Sequence, residues 1–141
     1  MKILVSACLL GEPCRYDGKS KPNSAVISLK ENHILIPVCP EVLGGLKTPR
    51  ILAEVQGEKV VRSDGCDVTK EYLKGARITL DIAKKEGVQI AILKSKSPSC
   101  GNKQIYDGTF SRRLIDGKGI TVKHLEENGI KVIDENELEK I

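Results

Sequence analysis

Cysteine is the residue type in this chain whose number and spacing most directly suggest chemistry. The stretch SACLLGEPCRYDG contains Cys8 and Cys14, and further cysteines lie at positions 39, 66 and 100. Thiolates act as nucleophiles, redox partners and metal ligands, and a free cysteine also packs as a small apolar side chain. The two N-terminal thiols could therefore form a disulfide, bind a metal, act as a nucleophile with its resolving partner, or have separate functions.

A disulfide framework is not expected from these cysteines. The first residues, MKILV, lack the features of a secretory signal peptide, and no later apolar stretch approaches the length of a membrane span. We therefore expect a cytoplasmic protein, whose thiols are kept reduced, and an odd number of cysteines also prevents complete pairing. Metal binding, catalysis and core packing remain as possible roles of the cysteines.

Composition predicts one domain, residues 1–141, and argues against nucleic-acid binding. The net charge is +4, but the basic residues are scattered among nearly as many acidic ones, and the aromatic residues are three tyrosines and one phenylalanine. Nucleic-acid modules usually need aromatic platforms or a dense basic stripe. A solvated basic surface is therefore favoured, and a small anionic ligand is compatible with it. No membrane partner is expected, and the oligomeric state is not indicated.

Four short apolar runs predict β-strands that are covered on both faces, as in a parallel sheet. They span residues 2–7, 33–38, 88–93 and 130–133. Helical patterns lie between them: one follows Asp67 and ends at Gly87, and a shorter one spans 121–128. This alternation predicts an α/β fold, a three-layer Rossmann-like sandwich with a mainly parallel sheet.

Two local signatures complete the predicted architecture. Residues 53–61 contain two short strand patterns about Gly57, which predict a small inserted β-hairpin near the site. Asp134 and Glu137 have the spacing of a capping box, which predicts a last helical turn.

Three of the five cysteines follow predicted strands. Cys8 comes after the first strand, Cys39 ends the second, and Cys100 lies in the loop after the third. In open α/β sheets ligands bind at the carboxyl ends of the strands. We therefore expect these three thiols to share one site, with Cys14 near it by its short tether. Cys66 precedes a predicted helix and is expected to be structural.

Sulfur-only ligation favours zinc or an iron-sulfur cluster. Structural zinc normally takes four ligands, often from paired C-x-x-C motifs, which this sequence lacks, and neither His33 nor His124 is an obvious fourth ligand. Three ligands on separate loops suit a cluster with one open iron that acts as a Lewis acid. Spacing alone does not separate this cluster from a three-cysteine zinc site.

Polar side chains near these cysteines are candidates for proton transfer and substrate binding. Glu41, two residues after Cys39, is a candidate general acid or base, and Ser97 and Ser99 can supply hydroxyl groups. Basic residues would make the crevice electropositive, which lowers thiol pKa values and favours an anionic or polar ligand. The candidates for substrate binding are Arg15, Tyr16, Asp17, Lys94 and Lys96, with Arg50 as a further basic residue.

Three longer motifs occur in the order SACLLGEPCRYDG, PVCPEVLGGLKTPR and ILKSKSPSCG, followed by YDGTF. Together they closely resemble a bacterial domain-of-unknown-function family that includes the thiouracil desulfidases, in its short stand-alone form. The resemblance implies a [4Fe-4S] cluster held by Cys8, Cys39 and Cys100. The fourth iron, without a protein ligand, would bind the sulfur of a thiolated heterocycle, so that C=S becomes C=O without net redox chemistry.

The same resemblance implies residue roles and a substrate class. Glu41 would be the acid/base residue, assisted by Ser97 or Ser99, of which Ser97 is preferred. The substrate would be a thiolated pyrimidine base, nucleoside or nucleotide, and the basic residues favour one with a phosphate. Cys14 could be an extra cluster ligand or a sulfur relay, or have no role in the reaction.

Two other functions are compatible with the same cysteines. The chain could be a non-catalytic protein that binds zinc, a cluster or sulfur for storage, delivery or stability. It could also be a thiol redox protein that uses Cys8 and Cys14, although their spacing is longer than C-x-x-C.

Overall fold

A four-stranded parallel sheet forms the centre of the computed structural model, which describes all residues from 1 to 141. The strands are β1 (Lys2–Ser6), β2 (Ile34–Val38), β3 (Ala53–Gln56), β4 (Lys59–Arg62), β5 (Ile90–Leu93), β6 (Gln104–Tyr106), β7 (Leu114–Asp116) and β8 (Lys131–Asp134). The α-helices are α1 (Ser24–Ser28), α2 (Pro40–Leu43), α3 (Thr69–Glu86) and α4 (Ile120–Glu127). Short 3-10 turns span Ala7–Leu10, Leu29–Glu31 and Leu138–Lys140.

The central sheet has the order β2-β1-β5-β8, and each neighbouring pair is parallel. These strands lie where the four apolar runs predict them. The chain passes from β1 to β2 on one side and from β5 to β8 on the other, so the strand order reverses between β1 and β5. In open α/β sheets such a switch point leaves a crevice at the carboxyl ends of the strands.

Both faces of the sheet are covered. On one face, Leu4 belongs to a core cluster with Leu80 of α3 and Leu125 of α4. On the other face, Ile3 clusters with Val26 of α1 and with residues of the short 3-10 turns. The predicted three-layer α/β sandwich is confirmed, and β5, in the interior of the sheet, is apolar and buried throughout its length.

Helix α3 follows the predicted apolar spacing. Tyr72, Ala76, Leu80 and Ala83 are buried, and Gly87 ends the helix in the left-handed region with a φ of 69°. It is the longest helix, and no helix in the structure is both long and apolar enough to cross a membrane.

Two antiparallel hairpins lie outside the central sheet. Strands β3 and β4 pair on either side of Gly57, as predicted. Strands β6 and β7 form a second hairpin, which the sequence does not predict because three residues per strand are too few to show alternation. Helices α1 and α2, of five and four residues, are missed for the same reason.

The predicted capping box at Asp134 is only half formed. Glu137 accepts the backbone N–H of Asp134 at 3.2 Å, but Asp134 accepts the N–H of Asn136, and the last turn begins at Leu138. The reciprocal bond is missing because the chain turns before the helical residues begin.

Candidate active site

A cavity of about 320 Å³ opens at the switch point of the sheet. The carboxyl ends of β1 and β2 and the loop after β5 line it, together with residues of α2, α3 and both hairpins. Four cysteines line the cavity: Cys8, Cys14, Cys39 and Cys100. All five cysteines are free, and Cys66 is exposed elsewhere. The fold thus brings the three strand-end thiols to one cavity and places Cys14 beside them.

Most of the predicted polar residues line this cavity. They are Arg15, Tyr16, Glu41, Arg50, Lys94, Lys96 and Ser97. Asp17 does not line it, and its carboxylate lies 3.8 Å from Arg15 and accepts the N–H of Lys19. Ser99 lies outside it as well, since its buried hydroxyl is hydrogen-bonded to Thr121 at 2.7 Å.

Glu41 is held by three neighbouring side chains. It lies in the first turn of α2, and its Oε2 accepts a hydrogen bond from Nε of Arg50 at 2.9 Å and a second from the same guanidinium. Its Oε1 accepts the hydroxyl of Tyr72 at 3.0 Å and that of Ser97 at 3.4 Å. Arg50 therefore occupies one carboxylate oxygen, and two hydroxyl groups converge on the other.

The partners of Glu41 are shielded from water. Burial, followed by the charge of Glu41, raises the pKa of Tyr72 and keeps its hydroxyl protonated as a donor. Burial lowers the pKa of Arg50, but the paired carboxylate outweighs it and raises the value. Arg50 also donates to the carbonyl of Cys14 at 2.9 Å, which links the carboxylate to the cysteine loop.

Ser97 is fixed by its own loop. Its hydroxyl oxygen accepts the backbone N–H groups of Ser99 at 3.0 Å and Cys100 at 3.1 Å. Because these bonds use the oxygen as an acceptor, the hydroxyl hydrogen is free to point to Glu41. The same loop thus orients a hydroxyl donor and a thiol in one cavity.

The thiols of Cys8, Cys14 and Cys39 belong to one apolar cluster beside the sheet. The contact with Cys14 and then burial raise the pKa of Cys39, whose Sγ lies 3.7 Å from the carbonyl oxygen of Cys14. The contact with Cys39 lowers the pKa of Cys14, but the contact with Cys8 and burial outweigh it and raise the pKa to about 11. Burial raises the pKa of Cys100 to about 12.

The prediction that basic side chains lower these thiol pKa values is therefore wrong. Arg50 is paired with Glu41, and Lys94 is paired with Glu135 at 2.6 Å. The thiols are buried against one another instead, and burial disfavours the thiolate. A bound metal centre would reverse this preference, because it deprotonates a coordinating thiol.

A family model described as 2-thiouracil desulfurase matches residues 3–137. The chain belongs to this family. The match spans nearly the whole chain, including all five cysteines, and it confirms the resemblance that the sequence motifs indicate. The protein is therefore a member of an enzyme family.

Two relatives match this desulfurase family member over almost its full length. Uncharacterized protein YbbK of Bacillus subtilis (strain 168) is 43% identical over 149 residues, which cover 99% of each chain. A solved structure of the [4Fe-4S]-dependent thiouracil desulfidase TudS is 45% identical, with a TM-score of 0.94 over 99% of this chain and 93% of that chain. The predicted α/β fold is thus also that of a known desulfidase.

The cavity of this family member offers thiol sulfur, which is the donor type that iron-sulfur clusters take. No group of three or more His, Cys, Asp and Glu side chains is arranged to hold a single metal ion. In a cubane cluster each cysteine binds a different iron, so the thiols surround the cluster and need not meet at one point. A zinc ion instead needs its sulfur ligands at about 2.3 Å from one centre.

Several cavity residues are not among the site residues that the sequence predicts, including Lys21, Tyr72, Tyr106 and Arg112. Tyr72 fits the apolar spacing of α3, which indicates a buried side chain, and a buried tyrosine hydroxyl usually needs a polar partner. Tyr106 and Arg112 also line the cavity and come from the unpredicted β6–β7 hairpin. Tyr106 lies within the YDGTF motif, which is the sequence feature that indicates its place in the site.

Proposed function

We propose that this protein is a [4Fe-4S]-dependent desulfidase that replaces the sulfur of a thiolated pyrimidine with oxygen. The observation that supports it best is the convergence of three strand-end cysteines and a hydroxyl-bonded carboxylate on one cavity of a 2-thiouracil desulfurase family member. The overall reaction consumes water and releases sulfide, so atoms balance without an oxidant or a reductant.

Cys8, Cys39 and Cys100 would hold the cluster in this proposal, each from a segment that follows a different strand of the central sheet. When bound, such a cluster supplies an iron without a protein ligand, which acts as a Lewis acid with affinity for sulfur. Cys14 lies beside Cys8 and Cys39 and is left without a ligand role.

Glu41 and Ser97 would carry out the proton transfers of the reaction. Arg50 occupies Oε2 of Glu41, so Oε1 is the atom available to take a proton from water. The Ser97 hydroxyl contacts Oε1 at 3.4 Å, a long bond that a water molecule can replace or bridge.

The cavity supports a substrate of pyrimidine size with an anionic or polar group. Its volume of about 320 Å³ lies at the lower end of small-molecule sites, which span roughly 300–1,000 Å³. Lys21, Lys96 and Arg112 line it and form no ion pair with a carboxylate. These cations favour a nucleotide over the nucleoside or the free base.

A thiol redox function is a weaker candidate. The structure brings the thiols of Cys8 and Cys14 into contact, as that function requires. A redox-active cysteine normally has a lowered pKa, whereas the pKa of Cys14 is raised to about 11. Reduced, free thiols are also what we expect of a protein that works in the cytoplasm.

A sulfide-release screen of the anaerobically reconstituted protein tests the proposed function. Thiolated uracil would be offered as base, nucleoside and 5′-monophosphate, with Glu41→Gln as the test variant and the exposed Glu31→Gln as its control. We expect sulfide and oxygenated product in equal amounts from the wild type and Glu31→Gln, and at least a roughly hundred-fold loss in Glu41→Gln with the cluster retained. No sulfide release from any of the three compounds would contradict the proposal.

A further inference from the structure

Glu54 is a buried acidic residue that the proposed reaction does not use. It lies on β3, is 1% exposed, and forms no salt bridge with a basic side chain. Its Oε1 accepts the backbone N–H groups of Gly108 at 3.0 Å and Phe110 at 3.2 Å, whereas Oε2 has no hydrogen-bond partner. Burying a carboxyl group with one oxygen unpaired is costly. We therefore expect these two bonds to stabilise a particular conformation of the backbone at Gly108 and Phe110.

The two bonds hold the loop between β6 and β7 in an unfavourable conformation. Phe110 and Arg112 have φ values of 58° and 62°, in the left-handed region that residues with a Cβ seldom adopt. Gln56 of β3 adds a third bond, from its side-chain amide to the carbonyl of Gly108 at 2.7 Å. The loop is therefore fastened to β3 at neighbouring points.

This loop brings two side chains to the cavity. The guanidinium of Arg112 lies 4.0 Å from the ring centroid of Tyr106 and donates to its hydroxyl at 3.0 Å, and both residues line the cavity. They come from the β6–β7 hairpin, whereas Glu41 and the cysteines come from α2 and the strand ends. The hairpin thus supplies a part of the cavity separate from the reacting groups.

We propose that Glu54 is a positioning residue for substrate recognition, which holds the β6–β7 loop so that Arg112 and Tyr106 contact the substrate away from its sulfur. The inference rests on the proposed function and adds a recognition element to the same site. A guanidinium fixed over an aromatic ring presents its remaining N–H groups in a set direction, which suits oxygen acceptors on the substrate. Glu54 itself touches no substrate and acts only through the loop.

A double-mutant cycle in the cluster-loaded protein tests this role. Glu54→Leu removes the oxygen that accepts the Gly108 and Phe110 amides, and Arg112→Ala removes the recognition group. We expect each single variant to raise KM for the thiolated uracil compound roughly five-fold and to leave kcat within about two-fold. The double variant should match Arg112→Ala alone, because both changes act through one contact. The matched control is Glu58→Leu, at an exposed glutamate in the turn between β3 and β4, which should leave KM and kcat unchanged.

Hydrogen exchange of the Gly108 and Phe110 amides gives a readout that does not depend on activity. Both amides should exchange faster in Glu54→Leu than in the wild type or Glu58→Leu. If Glu54→Leu fails to fold, Gln56→Ala, an exposed substitution that removes the third bond to this loop, should increase exchange in the same direction. Three results would overturn the positioning role: unchanged exchange of the Gly108 and Phe110 amides, additive effects of the Glu54 and Arg112 substitutions on KM, or a lower kcat at constant KM in the Glu54 variant. A wild type that releases no sulfide would instead overturn the proposed function, while the exchange rates still decide whether Glu54 holds the loop.

Discussion

The hydroxyl of Tyr72 has one partner in the site, Oε1 of Glu41. This bond crosses from α3 to α2 and fixes the carboxylate oxygen that we propose to take a proton. The apolar spacing of α3 indicates only that Tyr72 is buried, since periodicity describes which side of a helix is buried and not where a hydroxyl at the end of a side chain points.

Tyr72→Phe should lower kcat roughly ten-fold and leave KM and iron content unchanged. The variant keeps the packing of the ring and removes one hydrogen bond to a charged group, which contributes about 1.5–3 kcal/mol. Steady-state sulfide release at several substrate concentrations checks it, with the exposed Lys74→Ala on the same helix as control. An unchanged kcat would show that Arg50 and Ser97 suffice to orient Glu41.

The ligand set is open to a direct test with serine variants. Cys8→Ser, Cys39→Ser and Cys100→Ser should each fail to retain the cluster after anaerobic reconstitution, because each removes one of three thiolate ligands. Cys14→Ser and the exposed Cys66→Ser should retain it. Iron and acid-labile sulfide, measured per chain in each variant, show whether the cluster is retained. Loss of the cluster in Cys14→Ser would refute this ligand assignment.

At the scale of elements, two glycines allow α2 to lie against α3. A Cβ at Gly75 would collide with the carbonyl oxygen of Pro40, and a Cβ at Gly44 would collide with the carbonyl oxygen of Glu71. Helix α2 presents Glu41, and Cys39 directly precedes it. The close approach of the two helices therefore sets the position of a proposed ligand and of the proposed base.

Gly75→Ala should destabilise the protein by about 1 kcal/mol and reduce sulfide release. Helix propensity alone favours alanine by about 1 kcal/mol, but a rigid backbone contact outweighs it, since overpacking typically costs about 1–3 kcal/mol. Urea denaturation of the reduced, cluster-free protein measures the change, with exposed Arg77→Ala as control. A stabilised Gly75→Ala variant would mean that α2 can shift without cost.

Glu137 fastens the cysteine loop after β5 to the end of β8. Its buried carboxylate accepts hydrogen bonds from Asn102 at 2.9 Å and from the backbone of Asp134, and it pairs with Lys103 and Lys140. Burial raises the pKa of Glu137, but the bonds from Asn102 and the two lysines outweigh it and hold the pKa well below its ordinary value of 4.5.

This lowered pKa predicts how stability depends on pH. A carboxyl group whose folded pKa is depressed stabilises the protein above its unfolded pKa of 4.5, and that stability is lost as the pH falls through the folded value. Glu137→Gln should therefore cost about 2 kcal/mol at pH 7 and progressively less below pH 4.5. Urea denaturation of the cluster-free protein from pH 7 to pH 3, with Glu139→Gln as control, checks it. A cost that stays constant with pH would contradict the ionic role.

At the scale of the whole molecule, the sheet order determines where the site lies. Residues 8, 39 and 100 are far apart in sequence, and parallel pairing of β1 with β2 and β5 brings them to one edge. Apolar runs and strand ends therefore predicted this part of the cavity. The β6–β7 part was not predictable, because short irregular strands leave no periodic pattern and their position depends on contacts with β3.

The most direct test of the central claim is the fate of oxygen and sulfur in one experiment. The anaerobically reconstituted protein, with about four irons per chain, would be given thiolated uracil as base, nucleoside and 5′-monophosphate in ¹⁸O-labelled water. We predict that every oxygenated product molecule contains one ¹⁸O atom and is accompanied by one sulfide, without added oxidant or reductant. Product without equivalent sulfide, or no product from any of the three compounds, would contradict a hydrolytic desulfidase.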